Sequence, residues 1–100
     1  MKRKTCQACG YRGAAKDIVL HRIIPEEVAE EAGMPDSGTV VLCVNCRNEL
    51  DTWYSRKISD LTYDTTTRRF IPRSPAEMAK EYEATYQAFA GYKERQRKKH

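Results

Sequence analysis

The side chains best suited to chemistry in this chain are four cysteines, which fall in two pairs with the spacing Cys-x-x-Cys. The pairs are Cys6 with Cys9 and Cys43 with Cys46, and 33 residues lie between them. A two-residue gap lets both thiolates of a pair point at one ion, and two such pairs complete a tetrahedral site. Gly10 suits the first turn, because the missing Cβ lets the backbone approach the ion. The spacing therefore predicts a structural Zn²⁺ site.

Other uses of the four thiols are open at this point. Disulfides require an oxidising compartment, but the basic N-terminus is followed by no apolar stretch that would make it a secretory signal. A redox site needs only one pair, in a thioredoxin-like βαβ setting that the sequence lacks. An iron–sulfur cluster also uses four thiolates, although no pattern indicates electron transfer. We therefore favour zinc in a cytoplasmic protein without a membrane segment, since no apolar run approaches about 18 residues.

The segment between the cysteine pairs has to carry structure of its own, because it is longer than a typical zinc-ribbon insert. Residues 17–24 are rich in β-branched and aliphatic side chains and predict a strand, which Pro25 ends. Two glutamates directly after this proline favour a short helix that ends at Gly33. A loop over 34–38 and a strand over 39–42 complete the insert.

The second cysteine pair opens a predicted helix over 45–57, with Leu50, Trp53 and Tyr54 on one face. The two aromatic rings of that face have two interpretations, as core side chains or as platforms for nucleic-acid bases. We favour the core. The connecting segment 58–73 contains a predicted small hairpin.

The C-terminal part predicts a long amphipathic helix. The run Ser-Pro-Ala-Glu from Ser74 is a capping box with proline at the first helical position. The apolar side chains that follow lie at spacings of four, four and three, which places them on one face: Met78, Tyr82, Tyr86 and Phe89. This stripe predicts packing on the rest of the domain; the alternative is a contact with a protein partner or with a second copy of the chain.

These elements predict an α+β fold of three parts. A zinc-stapled ββα module occupies residues 1–57, the connecting segment spans 58–73, and the amphipathic helix with a basic tail spans 74–100. The 100 residues carry a net charge of +4, which the tail from residue 93 onward supplies by itself. Basic ends can bind phosphates through counterion release, although charged ends are also often only solvated.

Residues 6–57 combine three features in order: a Cys-x-x-Cys-Gly turn, a strand ending in His-Arg-Ile-Ile-Pro, and a strand entering Leu-Cys-Val-Asn-Cys before a helix. This order resembles the HNH endonuclease family. The resemblance implies a ββα-metal fold in which two zinc knuckles flank a catalytic hairpin. The C-terminal half carries no motif of that family.

The resemblance also implies positions for the catalytic groups, and three of four are changed here. His21 takes the place of the first metal ligand, and Arg22 that of the general-base histidine. Gly38 takes the place of an asparagine, and Arg47 that of the last histidine. Arginine cannot act as a base, since its pKa exceeds about 12, and it repels Mg²⁺ but binds phosphate well. The resemblance therefore implies a module that has lost cleavage and kept nucleic-acid contact.

Three functions follow as hypotheses from this reading. The first is a nuclease-inactive, HNH-like zinc module that binds DNA, RNA or a nucleic-acid-associated protein, with the following candidate contacts: Arg22, Arg47, Arg56 and Lys57. The second is an active endonuclease that uses His21 and a divalent ion such as Mg²⁺. The third is a structural zinc module whose C-terminal helix mediates protein assembly.

Overall fold

The computed structural model describes residues 4–34 and 38–98, and over these ranges the chain forms a mixed α+β fold. The strands pair as three two-stranded antiparallel sheets. They are β1 (Lys4–Thr5), β2 (Arg12–Gly13), β3 (Ile18–Arg22), β4 (Thr39–Cys43), β5 (Leu61–Asp64) and β6 (Arg69–Pro72). The helices are α1 (Glu26–Glu31), α2 (Val44–Lys57) and α3 (Pro75–Lys98). The predicted α+β class with a long C-terminal helix is confirmed.

The hairpin of β3 and β4 connects the two cysteine pairs. Ile18 pairs with Cys43 at one end of this hairpin, and Arg22 pairs with Thr39 at the other. Val40 and Leu42 of β4 are both buried in the core, because alternate residues of a strand face the same side. Strand β3 is shorter than the predicted strand 17–24, since the chain already bends in the two residues before the proline.

Helix α1 is also shorter than the predicted helix over 25–33. Pro25 is the N-cap rather than the first helical residue, with an extended ψ of 143°. Gly33 ends the helix as predicted, with a φ of 73° that an L side chain rarely adopts. Its N–H donates to the Glu30 carbonyl oxygen at 3.1 Å. Most of the predicted loop over 34–38 lies outside the described residues.

Helix α3 packs against both α1 and α2. Tyr86 and Phe89 are buried in the cluster that contains the cysteines, whereas Met78 and Tyr82 are only half-buried. The buried residue of α3 at α1 is Ala79, which the aromatic pattern did not include, and Tyr82 of the predicted stripe packs against the same cluster. A short side chain lets two helices approach closely, so the packing face lies beside the predicted stripe at this end. None of the helices over 4–34 and 38–98 has the length and apolar character to cross a membrane.

The N-terminus of α3 is capped as the sequence predicts. The backbone N–H of Glu77 donates to Ser74 Oγ at 3.2 Å. We expect Ser74→Ala to lower the free energy of unfolding by about 1 kcal/mol, because the substitution leaves that N–H without its partner. Urea unfolding followed by circular dichroism measures the change. Ser55→Ala on the exposed side of α2 is the control, and an equal loss in both variants would contradict the capping role.

Candidate metal centre

The first cysteine pair lies in the turn between β1 and β2. The Cys6 N–H donates to the Tyr11 carbonyl at 2.7 Å, and the Gly10 N–H donates to the Cys6 carbonyl at 3.0 Å. Gln7 ties this turn to the edge of β4: its N–H donates to the Val41 carbonyl at 2.8 Å, and its Oε1 accepts from the Val41 N–H at 2.6 Å. These bonds hold the first pair beside the strand that leads into the second.

The second cysteine pair lies at the junction of β4 and α2. Cys43 is both the last residue of β4 and the N-cap of α2, with an extended backbone. Its Sγ accepts a hydrogen bond from the Cys46 N–H at 3.4 Å. The two-residue spacing therefore places both sulfurs at the start of one helix, where the free N–H groups favour negative charge.

The four sulfurs converge on one point. All four Sγ atoms lie within 4.8 Å of one another, and the Cys9 and Cys43 sulfurs are 3.8 Å apart. A tetrahedron of sulfurs about 2.3 Å from a central ion has edges of about 3.8 Å. A disulfide would need about 2.05 Å, and all four cysteines are free. The geometry is that of a four-thiolate metal site, as the spacing predicted.

The thiols of this cluster have strongly altered acidities. Burial disfavours the Cys6 thiolate, but hydrogen bonds from the backbone of Cys9, Cys43 and Ala8 lower the pKa of Cys6 to about 7. Burial and the neighbouring sulfurs raise the pKa of Cys46. Burial likewise raises the pKa of Cys9. The cluster thus favours the Cys6 thiolate and opposes those of Cys9 and Cys46, a conflict that a bound divalent cation removes by its own charge.

Helix α3 brings two cations to the rim of this centre. Lys93 Nζ lies 2.6 Å from Glu49 Oε2, and its side chain is only 15% exposed. Burial by itself lowers the pKa of Lys93, but the hydrogen bond to Glu49 and the electrostatic effects of Cys46, Glu49 and Cys9 raise it above its usual value. The Arg97 guanidinium lies so close to Gly10 that a Cβ there would meet it at 3.1 Å. Lys93 and Arg97 of the predicted basic tail therefore lie beside the metal centre, and both belong to α3, which continues to Lys98.

We expect Lys93→Gln to weaken metal binding by about tenfold, the lower end of the usual effect of outer-shell partners. The reason is that a tetrathiolate site with a divalent ion keeps a net negative charge, which the ammonium partly neutralises. Competition with a chromophoric chelator measures the affinity. Lys80→Gln on the exposed part of α3 is the matched control, and equal affinities of the two variants would show that Lys93 does not contribute to metal binding.

A second group of polar side chains, the histidine cluster, is formed by His21, Arg47, Asp51 and Tyr54. The His21 Nε2 atom lies 3.4 Å from the Tyr54 hydroxyl, and the rings stack at 5.9 Å between centroids. That hydroxyl donates its proton to the Ile23 carbonyl at 3.1 Å. Tyr54 must therefore accept from the histidine, which places the His21 proton on Nε2 and leaves the Nδ1 lone pair free of this bond.

Charges around His21 oppose each other. Burial lowers the pKa of His21, and the nearby Arg47 cation lowers it further, while the Asp51 carboxylate raises it. The Arg47 Nε atom is itself buried and has no hydrogen-bond partner among the described residues. Arg47, Asp51 and Tyr54 share one face of α2, because they are spaced by four and three residues. The cluster therefore combines a half-buried imidazole with one carboxylate and one cation that act on it in opposite directions.

The structure separates the four predicted nucleic-acid contacts. Arg47 is on α2 and acts electrostatically on His21. Arg22 lies on the opposite face of β3 from His21, since neighbouring strand residues alternate. Arg56 and Lys57 are exposed at the other end of α2, about 15 Å along the helix from Arg47. The Lys57 ammonium lies 5.2 Å from the centre of the Trp53 ring.

The aromatic rings of α2 belong to the core, as the favoured interpretation expected. Trp53 meets Phe89 edge-on at 5.4 Å, and Tyr54 meets Tyr82 edge-on at 4.9 Å.

Sequence reasoning overlooked Asp51 as a member of the histidine cluster. Its position four residues after Arg47 was the available signal.

Comparison of the chain with protein-family models, with curated proteins and with solved structures finds no match. The resemblance of residues 6–57 to HNH endonucleases therefore stays a prediction from the sequence. The features of this chain that bear on its function are its four sulfurs, its histidine cluster and its exposed cations.

Proposed function

We propose that this protein is a zinc-stapled, HNH-like module that binds nucleic acid without cleaving it. The observation that carries the proposal is that the Arg47 cation acts electrostatically on His21, from the position where the resemblance expects a metal ligand. A fixed cation there opposes a divalent ion but attracts a phosphate. The ββα order around two cysteine pairs supports the HNH-like assignment.

Zinc is the ion that this donor set fits. Four thiolates in a closed tetrahedron suit Zn²⁺, and they leave no open position for a substrate or a water. In this arrangement the ion supplies folding energy, and the chemistry of the module has to come from other side chains. Backbone N–H groups donate to Cys9 Sγ from Tyr11 and to Cys43 Sγ from Cys46, both at 3.4 Å. Such bonds stabilise the charge that remains on the sulfurs.

Loss of cleavage follows from the groups around the histidine. Hydrolysis of a phosphodiester needs a base to deprotonate water and a divalent ion on the phosphate. Arg22 takes the position of the base and cannot accept a proton. His21 has one ring nitrogen committed to Tyr54, and its other neighbours include the Arg47 cation.

We expect salt-sensitive binding to nucleic acid that depends on the two arginines. In fluorescence anisotropy with a 20-base-pair duplex, log Kd against log salt has a slope of about 0.9 for each phosphate contacted. Arg22→Ala with Arg47→Ala should weaken binding and reduce the slope by up to about two units. The exposed Arg12→Ala is a control for charge alone. An equal effect of the control would mean that binding is not localised at these arginines.

The endonuclease is the second candidate, and Asp51 is the observation that favours it. Its carboxylate acts electrostatically on His21, and a carboxylate with an imidazole is a donor set that divalent ions accept. A plasmid assay with Mg²⁺, Mn²⁺ or Ni²⁺ separates the candidates: we expect no nicking by the natural protein and weak nicking after Arg22→His with Arg47→His. If the natural protein nicks the plasmid and either Asp51→Asn or His21→Ala abolishes the nicking, the protein is an endonuclease.

A further inference from the structure

The exposed apolar side chains of this protein are concentrated on one hairpin. Of the seven large apolar residues that are exposed over the described ranges, four lie on β5 and β6: Leu61, Tyr63, Phe70 and Ile71. Phe70 is the most exposed of these four, at 68%. A two-stranded hairpin with an open apolar face is marginal on its own in water. An exposed apolar patch of this kind marks an interaction site.

The register places most of these residues on one face. Leu61 pairs with Pro72, and Tyr63 pairs with Phe70, so Leu61, Tyr63 and Phe70 project from the same side of the hairpin, together with Pro72. Ile71 pairs with Thr62 and projects from the other side. The Tyr63 and Phe70 rings meet at 62° with 5.3 Å between centroids. They support each other edge to face, and roughly half or more of each side chain is open to solvent.

The base of the hairpin is fixed to the body of the protein. The Arg73 N–H donates to the Asp60 carbonyl at 2.8 Å, and the Arg73 guanidinium lies 3.5 Å from the Glu81 carboxylate on α3. The hairpin thus presents its face from a fixed base. Lys57 and Arg56, at the end of α2, are no more than about 14 Å and about 18 Å along the chain from the first residue of β5.

The tip of the hairpin carries two more cations. Arg68 and Arg69 are exposed, and Arg68 has a φ of 58°, which costs an L residue about 1 kcal/mol or more. Glycine would relieve that strain. The one carboxylate of the turn, Asp64, is occupied by the turn itself: it accepts from the Thr66 N–H at 3.0 Å and from the Thr67 hydroxyl at 2.9 Å. Arg69 projects from the side opposite Tyr63 and Phe70, because it pairs with Asp64 and strand residues alternate. Along the hairpin, the aromatic pair therefore lies between Arg68 at the tip and the two cations that precede the base, Arg56 and Lys57.

We propose that this hairpin face binds single-stranded nucleic acid by stacking bases on Tyr63 and Phe70, an inference that rests on the proposed nucleic-acid function. Ring faces accept any base, and flanking arginines and lysines contact the phosphates on either side. A duplex keeps its bases stacked on each other, so it has no free base face to offer these rings. A second copy of the chain would bring the same cations to both sides of the contact, which disfavours self-association through this face.

The test measures binding of the full-length, zinc-loaded protein to fluorescein-labelled dT20 and to a 20-base-pair duplex. We expect Tyr63→Ala and Phe70→Ala each to weaken dT20 binding by about tenfold and to leave the salt slope unchanged. Duplex binding should not change. Tyr11→Ala, a similarly exposed tyrosine outside the hairpin, is the matched control, and Phe70→Tyr should retain affinity because it keeps a ring.

Arg68→Gly separates binding from folding. It removes a charge and also relieves the left-handed backbone, so we expect a higher thermal midpoint together with weaker dT20 binding. The salt slope should decrease by about 0.7, the value for one phosphate of a single strand. A purely structural role would not move stability and affinity in opposite directions.

The outcomes distinguish the two proposals. If hairpin variants bind dT20 as the natural protein does, while Arg22→Ala with Arg47→Ala weakens duplex binding, the stacking site is wrong and the proposed function stands. If the hairpin variants lose dT20 but the arginine variants change nothing, the hairpin is the site and the HNH-like contact is wrong. Binding of neither probe at low salt overturns both. A dimer in sedimentation velocity that Phe70→Ala dissociates would assign the face to a second copy.

Discussion

Removal of the metal is expected to unfold this protein. The fully buried large side chains over the described residues include Phe89, Ile24, Leu42 and Leu50, and two others of this set are the metal ligands Cys6 and Cys46. The free energy gained by burying a core of this size is little more than the conformational entropy lost on folding. Structural zinc contributes roughly 10–16 kcal/mol in small domains, which exceeds the net stability of most domains. Chelation therefore removes more free energy than the fold has in reserve.

The measurement is a metal analysis with thermal unfolding by circular dichroism. We expect about one zinc per chain and loss of the cooperative transition after chelation. Cys43→Ser should be as damaging as chelation, because one missing thiolate opens the tetrahedron and also removes the sulfur that caps α2. Leu20→Ser on the neighbouring strand, at a side chain that is 72% exposed, is the control and should be nearly neutral.

Substitution by cobalt gives a second readout of the same site. Co²⁺ bound by four thiolates absorbs visible light in a pattern typical of a tetrahedral sulfur environment. Acidification should release the ion, since the ligands have to lose their protons to bind it. A metal-free protein with an unchanged thermal transition would contradict the structural role. Iron and sulfide in the metal analysis would show that the four thiolates hold an iron–sulfur cluster and not zinc.

Phe89→Ala is expected to lower the free energy of unfolding by about 3–5 kcal/mol. Phe89 is fully buried in the cluster that contains the cysteines, and it meets Trp53 edge-on at 5.4 Å. The substitution leaves a cavity between α2 and α3 that these rigid elements cannot close. Urea unfolding of the zinc-loaded protein measures the loss.

Phe70→Ala removes the same atoms from an exposed position and serves as the matched control. It should change stability by well under 1 kcal/mol. Truncation after Arg73 extends the test, because it exposes the surfaces that Ala79 and Tyr86 cover. Aggregation is the expected result. A truncated protein that is as stable and soluble as the full chain would show that α3 is an independent arm.

The sequence by itself determined the local features of this protein. Two-residue gaps between cysteines restrict both sulfurs to one turn, so the four ligands were predictable from spacing alone. Gly33 and Ser74 act within one helical turn of their own positions, and their roles as helix end and helix cap were predictable for the same reason. These features depend on neighbours along the chain, which a sequence shows directly.

Only the tertiary structure decided which distant side chains meet. Lys93 was assigned to a basic tail, yet it lies against Glu49 at the metal centre, because the length of α3 and its packing on α2 bring it there. Ala79 rather than Met78 lies against α1, since close approach of two helices selects the smaller side chain. The face of β3 that carries His21 toward Tyr54 follows from register across the hairpin. Each of these contacts joins elements far apart in sequence, where spacing along the chain carries no information about distance.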